Sequence, residues 1–189
     1  MGKDDYVTYG KIKLLIKQLV NNAILEIPGV FFLGSDYSYF FLNMTMFSNK
    51  KVNFHKVIKD ILKIKSQNDY YIVTLKEDYS INDTYPLLHF LESDSDSSSH
   101  DLCLNLLYKN KFDEEMLVFN QTLEWFYFES TLMTFSILIV KNEDCEKVAP
   151  RVKEFLINRD ELDFEFNLML TPHMIDLFNK YVKQNVLLK

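Results

Sequence analysis

Apolar residues in this chain follow two patterns, one with helical spacing and one a continuous run, and a single fold must bury the side chains of both. Across residues 7–27 they follow the spacing of an amphipathic helix. The run TFSILIV at 134–140 is instead apolar and rich in β-branched residues, which is typical of a central strand. Since a helix and a sheet must each cover an apolar surface, the sequence predicts an α+β fold with helices packed on a mainly antiparallel sheet.

The first half of the chain alternates between these patterns. After the helix at 7–27 and Pro28-Gly29, the predicted elements are strands at 30–33 and 39–47 around a turn at 34–38, a helix from Asn53 to about residue 66, a strand at 70–75, and a short helical turn from Pro86 through residue 90. The second helix has an apolar stripe that should face the sheet, formed by Phe54, Val57, Ile58, Ile61 and Leu62.

An acidic, serine-rich segment, ESDSDSSSHD at 92–101, divides the sequence. It has no apolar anchor, so we expect a mobile surface loop. The chain should form a single compact domain over 1–189, or two lobes at 1–91 and 102–189 joined by this loop.

The second half is predicted to be rich in strands. Its elements are strands at 102–108, 116–119, 123–128 and 132–140, a helix at 144–158 containing Pro150, a strand at 164–170, and a final helix capped by Thr171. The strand at 164–170 rests on alternation, which places Phe164, Phe166, Leu168 and Leu170 on one buried face.

Composition narrows the classes of protein to consider. No apolar run approaches the ~18 to 20 residues of a membrane span, and the first residues lack the pattern of a signal peptide. We therefore expect an intracellular protein without membrane insertion. Only two arginines and a net charge of −6 disfavour direct nucleic-acid binding.

The usual catalytic and ligand-binding motifs are not found. The four histidines, at 55, 89, 100 and 173, have no ligand spacing, and Cys103 and Cys145 form no CxxC pair. His100 and Cys103 are too close in sequence to converge as a thiol and its base. The four glycines form no phosphate-binding loop. We predict no catalytic residue, metal or cofactor.

Charge and aromatic residues supply the candidates for partner binding. Residues 1–79 carry 11 lysines against 8 acids, or +3, whereas residues 80–189 carry 10 basic residues against 19 acids, or −9. The acids Glu92, Asp94, Asp96 and Asp101 fit contact with a basic partner, although a solvated loop, a cation site or phosphorylation of the neighbouring serines are alternatives.

Trp125 and Tyr127 share one face of a predicted strand. Tryptophan and tyrosine are enriched at interfaces, so these two residues either bind a partner or build the core.

Together these features favour a non-catalytic protein-binding module that engages a basic partner. It would be a subunit of a larger assembly or an inhibitor of the toxin-neutralising immunity type. The alternative is a small-molecule enzyme whose aspartate, glutamate and histidine residues meet only in the fold. A pocket that places a carboxylate beside a histidine of shifted pKa favours the enzyme, and a flat acidic or aromatic patch favours binding.

Overall fold

A computed structural model describes residues 36–43, 51–76, 87–94, 115–129, 135–169 and 186–187, with positions 10, 13, 14, 17, 33, 101 and 172. The strands are β1 (Tyr37–Leu42), β2 (Asp69–Leu75), β3 (Leu88–Leu91), β4 (Glu115–Phe119), β5 (Trp125–Glu129), β6 (Ser136–Lys141) and β7 (Val186–Leu187). The α-helices are α1 (Lys51–Ile64), α2 (Cys145–Val152) and α3 (Arg159–Met169), and 3-10 turns at Asn142–Asp144 and Lys153–Phe155 flank α2.

The strands form one sheet in the order β3-β2-β4-β5-β6-β1-β7. Neighbours pair antiparallel, except for β1 and β7, which are parallel. The predicted α+β class with a mainly antiparallel sheet is confirmed. Strands from both sides of the acidic segment contribute, since β2 pairs with β4 and β1 pairs with β6.

In β1, β5 and β6 both faces of the sheet are buried, which explains their nearly continuous apolar runs. The predicted apolar stripe of α1 is confirmed, since all five of its residues are at most 3% exposed. That stripe packs in the same core cluster as Phe40, Tyr70 and Leu138 of the sheet. Helix α2 contacts α1 and β1 and adds Val148 and Val152 to this core.

Helix α1 ends in a motif that fixes the start of β2. The N–H of Ser66 donates to the carbonyl of Lys63 at 3.2 Å, and that of Gln67 donates to Leu62 at 2.8 Å. Ser66 has a φ of 53°, in the left-handed region. This is a Schellman motif with serine where glycine is usual, and it turns the chain from helix to strand within a few residues.

Two predicted elements are wrong in type. The helical turn after Pro86 is instead β3, whose Leu88 and Phe90 point into the core while His89 and Leu91 are exposed. Residues 164–169 of the predicted strand lie in α3, where Phe164 is 62% exposed. The N–H of Glu161 donates to Oδ1 of Asn158 at 2.8 Å, so Asn158 caps α3, and the Arg159–Asp163 pair at 3.1 Å supports its first turns.

Several boundaries also differ from the predictions. Strand β1 begins at Tyr37, inside the predicted turn, and α1 begins before its predicted cap Asn53. The helix observed in the predicted range 144–158 is shorter than expected, because its α-helical part ends at Val152, soon after Pro150. Pro150 lies inside this helix and removes one backbone donor from it.

Other predictions lie wholly or largely outside the described residues: the helix at 7–27, of which positions 10, 13, 14 and 17 are helical; the strands at 30–33 and 102–108; the first part of 132–140; and the final helix, of which Pro172 is helical. In the part of the chain that the structure describes, no helix has the length and hydropathy needed to cross a membrane.

Candidate functional site

The end of the sheet formed by β2 and β3 brings several polar and aromatic side chains together. In the antiparallel register Asp69 pairs with Leu91, and Tyr71 pairs with His89. Residues two apart in a strand share a face, so all four side chains lie on one face of the sheet. This face is opposite to the one that α1 covers, because Tyr70, Ile72 and Phe90 alternate with them into the α1 core.

Asp69 and His89 form the polar pair of this surface. Nε2 of His89 lies 2.9 Å from Oδ2 of Asp69, and the two side chains are 47% and 29% exposed. A carboxylate only accepts hydrogen bonds, so Nε2 of His89 is the donor. The hydroxyl of Tyr71 donates to the same Oδ2 at 3.3 Å. Asp69 therefore holds both rings in place.

Three rings are stacked across neighbouring strands. The His89 ring lies 4.5 Å from the Tyr71 ring at an angle of 5°, and the Tyr71 ring lies 5.8 Å from Phe119 at 24°. Phe119 is fully buried and Tyr71 is 3% exposed. The stack therefore runs from the core to the surface, where it ends in the exposed imidazole of His89.

Tyr71 has a perturbed hydroxyl. Burial raises its pKa above the ordinary 10.0, and the charge and hydrogen bond of Asp69 add to the increase. A hydrogen bond of 2.6 Å from Nε2 of Gln121 acts in the opposite direction. Tyr71 is thus a protonated donor to Asp69 at neutral pH.

The predicted acids Glu92 and Asp94 follow directly after β3, and contacts with α1 hold their positions. Nζ of Lys63 lies 3.5 Å from Oε1 of Glu92, and Nζ of Lys59 donates to the backbone carbonyl of Asp94. The Asp94 carboxylate accepts a hydrogen bond from the Leu91 N–H at 2.7 Å, and the Asp94 N–H donates to the Leu91 carbonyl at 3.1 Å. The beginning of the acidic loop is therefore an ordered turn.

We call the group Asp69, His89, Leu91, Glu92 and Asp94 the edge surface. Leu91 is 46% exposed and lies opposite Asp69 in the strand register, and the turn that follows it, with Glu92 and Asp94, contacts Lys63 and Lys59 of α1. The edge surface is open, and it combines carboxylates, an aromatic ring and an aliphatic side chain.

The remaining predicted site residues lie elsewhere. Asp101 is exposed and helical at its isolated described position, and Asp96 lies outside the described residues. Trp125 and Tyr127 are 1% and 0% exposed and belong to the core, so they present no side-chain surface to a partner. Burial also raises the pKa of Tyr127 well above 10.0, and the charge of the neighbouring Glu129 adds to this.

The histidines and cysteines were predicted to have no catalytic role. His55 is fully buried, and its Nδ1 lies 2.7 Å from the hydroxyl of Tyr70. Cys145 is a free, half-buried thiol, whereas His100, Cys103 and His173 lie outside the described residues. Among the residues the structure describes, no three histidine, cysteine or acidic side chains are arranged to hold a metal ion.

A second polar arrangement lines a cleft of about 340 Å³ between the end of α1 and the start of α2. Nζ of Lys65 lies 2.7 Å from Oδ2 of Asp144 and 3.6 Å from Oε1 of Glu124. Burial acts to lower the pKa of Lys65, but the hydrogen bond and charge of Asp144, with the charges of Glu124 and Glu143, raise it above 10.5.

Gln67 ties this cleft to the core. Its Oε1 accepts the indole N–H of Trp125 at 2.9 Å, and its Nε2 donates to Oε2 of Glu124 at 2.7 Å. The indole can only donate, so the orientation of the Gln67 amide is fixed. The cleft is lined by fixed charged pairs, and its cationic groups are lysines, not histidine.

Sequence reasoning missed Asp69 and Tyr71 and treated His89 as a solvated or structural residue. The signal was the alternation of Leu88 and Phe90 with His89 and Leu91, which predicts a strand with His89 on its outer side. The pairing of His89 with Asp69 depends on the register between two strands, which the sequence does not specify.

Comparisons with protein-family models, with curated proteins and with solved structures found no match.

Proposed function

We propose that this protein is a non-catalytic protein-binding module that engages a basic partner through the edge surface. It would serve as a subunit of a larger assembly or as an inhibitor of the immunity type. The observation that carries the proposal is Leu91, an aliphatic side chain that is 46% exposed, lies opposite Asp69 in the strand register and is followed directly by the turn that contains Glu92 and Asp94. An exposed apolar side chain bordered by charge is the composition of an interface centre with a polar rim.

The rigidity of the edge surface supports this proposal. His89 is stacked on Tyr71, and the turn at Asp94 is hydrogen-bonded back to Leu91. Binding to an ordered surface costs less conformational entropy than binding to a mobile one. The balance of −9 over residues 80–189 would speed encounter with a basic protein.

Affinity capture from the source cell, followed by mass spectrometry, tests the proposal with two matched variants. Leu91→Ser removes the apolar side chain of the edge surface, and Phe164→Ser removes another exposed apolar side chain from α3. The wild type and Phe164→Ser should retain the same basic protein, and Leu91→Ser should lose most of it. Equal capture by both variants, or no basic protein with the wild type, would contradict the proposal.

A second candidate function, a small-molecule enzyme, is favoured by the Asp69–His89 pair at 2.9 Å. A carboxylate that fixes the tautomer of a histidine is the arrangement of a general base. Hydrolysis of p-nitrophenyl acetate tests this function directly. A rate above that of free imidazole that is lost in His89→Ala would support the enzyme, and a rate unchanged by His89→Ala would count against it.

A further inference from the structure

The outer face of the His89 ring is a surface on which a planar cation can stack. Strands in a sheet lie roughly 4.8 Å apart, so rings on paired residues stack face to face across the sheet. One face of His89 rests on Tyr71 at 4.5 Å, and the other face points away from β2. In the described sheet β3 is the last strand at this end, and the His89 side chain is 47% exposed.

The Asp69 carboxylate beside this ring has acceptor capacity left. An ionised carboxylate offers roughly four lone-pair sites. Among the described residues, Nε2 of His89 and the hydroxyl of Tyr71 use two of them, both on Oδ2. Within the described part of the chain, Oδ1 of Asp69 therefore keeps its acceptor capacity beside the His89 ring.

A guanidinium fits this combination better than an ammonium. It is planar, it stacks on ring faces, and its N–H groups pair with carboxylates while stacked. An ammonium can lie over a ring, as Nζ of Lys141 does 4.1 Å from the centre of the Tyr37 ring, but it is a compact, strongly hydrated point charge with no planar group to stack. Leu91, two residues along the same face, offers apolar contact to the methylene groups of an arginine side chain.

We propose that the edge surface binds an arginine side chain, with its guanidinium stacked on the outer face of His89 and donating to Asp69. This inference rests on the proposed function, since the arginine belongs to the basic partner. His89 and Asp69 make the specific contact, and Leu91 supports the methylene chain.

Nuclear magnetic resonance titration of the full chain tests the proposal without the partner. The probes are N-acetyl-arginine amide and N-acetyl-lysine amide, which carry the same charge. The arginine probe should shift the ring signals of His89 and the methyl signals of Leu91 in a saturable manner, and the lysine probe should shift them several-fold less. No response to the arginine probe, or equal responses to both probes, would overturn the proposal.

Variants separate this site from general attraction to an acidic protein. Asp69→Asn removes the charge but keeps an oxygen acceptor, and it should weaken the arginine response at Leu91 several-fold. Glu146→Gln removes one exposed negative charge from α2 and should leave the response unchanged. Equal weakening by the two variants would indicate long-range attraction and overturn the platform.

Partner capture distinguishes failure of this inference from failure of the proposed function. His89→Ala removes an exposed ring, and it should reduce capture of the basic protein as Leu91→Ser does. Capture that is lost in Leu91→Ser but unchanged in His89→Ala would overturn the arginine platform and leave the protein-binding module standing.

Discussion

Nζ of Lys65 lies 2.7 Å from Oδ2 of Asp144, and the two side chains are only 12% and 7% exposed. This ion pair joins the end of α1 to the 3-10 turn that leads into α2, two elements separated by much of the sequence. It is the most buried ion pair among the described residues.

Lys65→Met should therefore destabilise the protein by about 3 kcal/mol, because the buried Asp144 carboxylate loses the only lysine within hydrogen-bond distance of it among the described residues. Lys147→Ala is the matched control, since Lys147 is 66% exposed and its Nζ lies 3.9 Å from Asp144. That control should cost less than about 0.5 kcal/mol. Urea denaturation measures both variants, and equal midpoints would show that the buried pair contributes nothing special.

The protein should lose stability in alkali. Folding raises the pKa of Tyr127 and Tyr71 above 10.0, mainly through burial, and raises that of Lys65 above 10.5. In each case the native state holds the proton more tightly than the unfolded state does. The stability from these groups is thus complete below about pH 10 and decreases as the pH rises further.

Urea midpoints measured between neutral pH and pH 11 check this expectation, with Tyr127→Phe as the comparison. The midpoint should fall at the alkaline end, and it should fall less steeply in Tyr127→Phe, which cannot ionise at that position. A wild-type midpoint that is constant or rises over this range would be inconsistent with the raised pKa values.

Asp94 should act as an internal acceptor as well as a surface charge. Its carboxylate accepts the N–H of Leu91 at 2.7 Å. Asp94→Ala should therefore speed hydrogen exchange of the Leu91 amide and cost about 1 kcal/mol, whereas Asp94→Asn, which keeps an acceptor oxygen, should cost less. Leu91 amide exchange in Asp94→Ala that is as slow as in the wild type would mean that the carboxylate does not hold the turn.

The parts of the fold that sequence reasoning predicted well are those set by burial. Ile58 and Leu62 of α1 recur with the helical period that places them on one buried face. The continuous apolar run of β6 fits a strand that is buried on both faces. The strand predicted at 164–170, beginning at Phe164, was wrong because a short apolar alternation also fits a helix. The Asn158 cap and the Arg159–Asp163 pair are the local features that favour the helix here.

The candidate site was predicted only in part. Glu92 and Asp94 carry a compositional signal, so they were identified from the sequence. Asp69 and His89 belong to different strands, and their 2.9 Å contact follows from the register of β2 and β3. Register depends on long-range packing, so no local pattern in this chain predicts it.

The most direct test of the central claim is the association rate of the captured basic partner, measured by stopped flow as salt is increased. Exposed charges are screened over a distance of about 8 to 10 Å at moderate salt, so the wild-type rate should fall as salt rises.

The variant for this measurement carries Asp69→Asn and Glu92→Gln in the edge surface, and it keeps Asp94 because that carboxylate holds the turn. Its control carries Glu146→Gln and Glu154→Gln at two exposed positions, so both variants have the same net charge. The account predicts association several-fold slower than wild type in the first variant and a smaller change in the control. Rates that depend neither on salt nor on which acids are replaced would contradict binding of a basic partner through the edge surface.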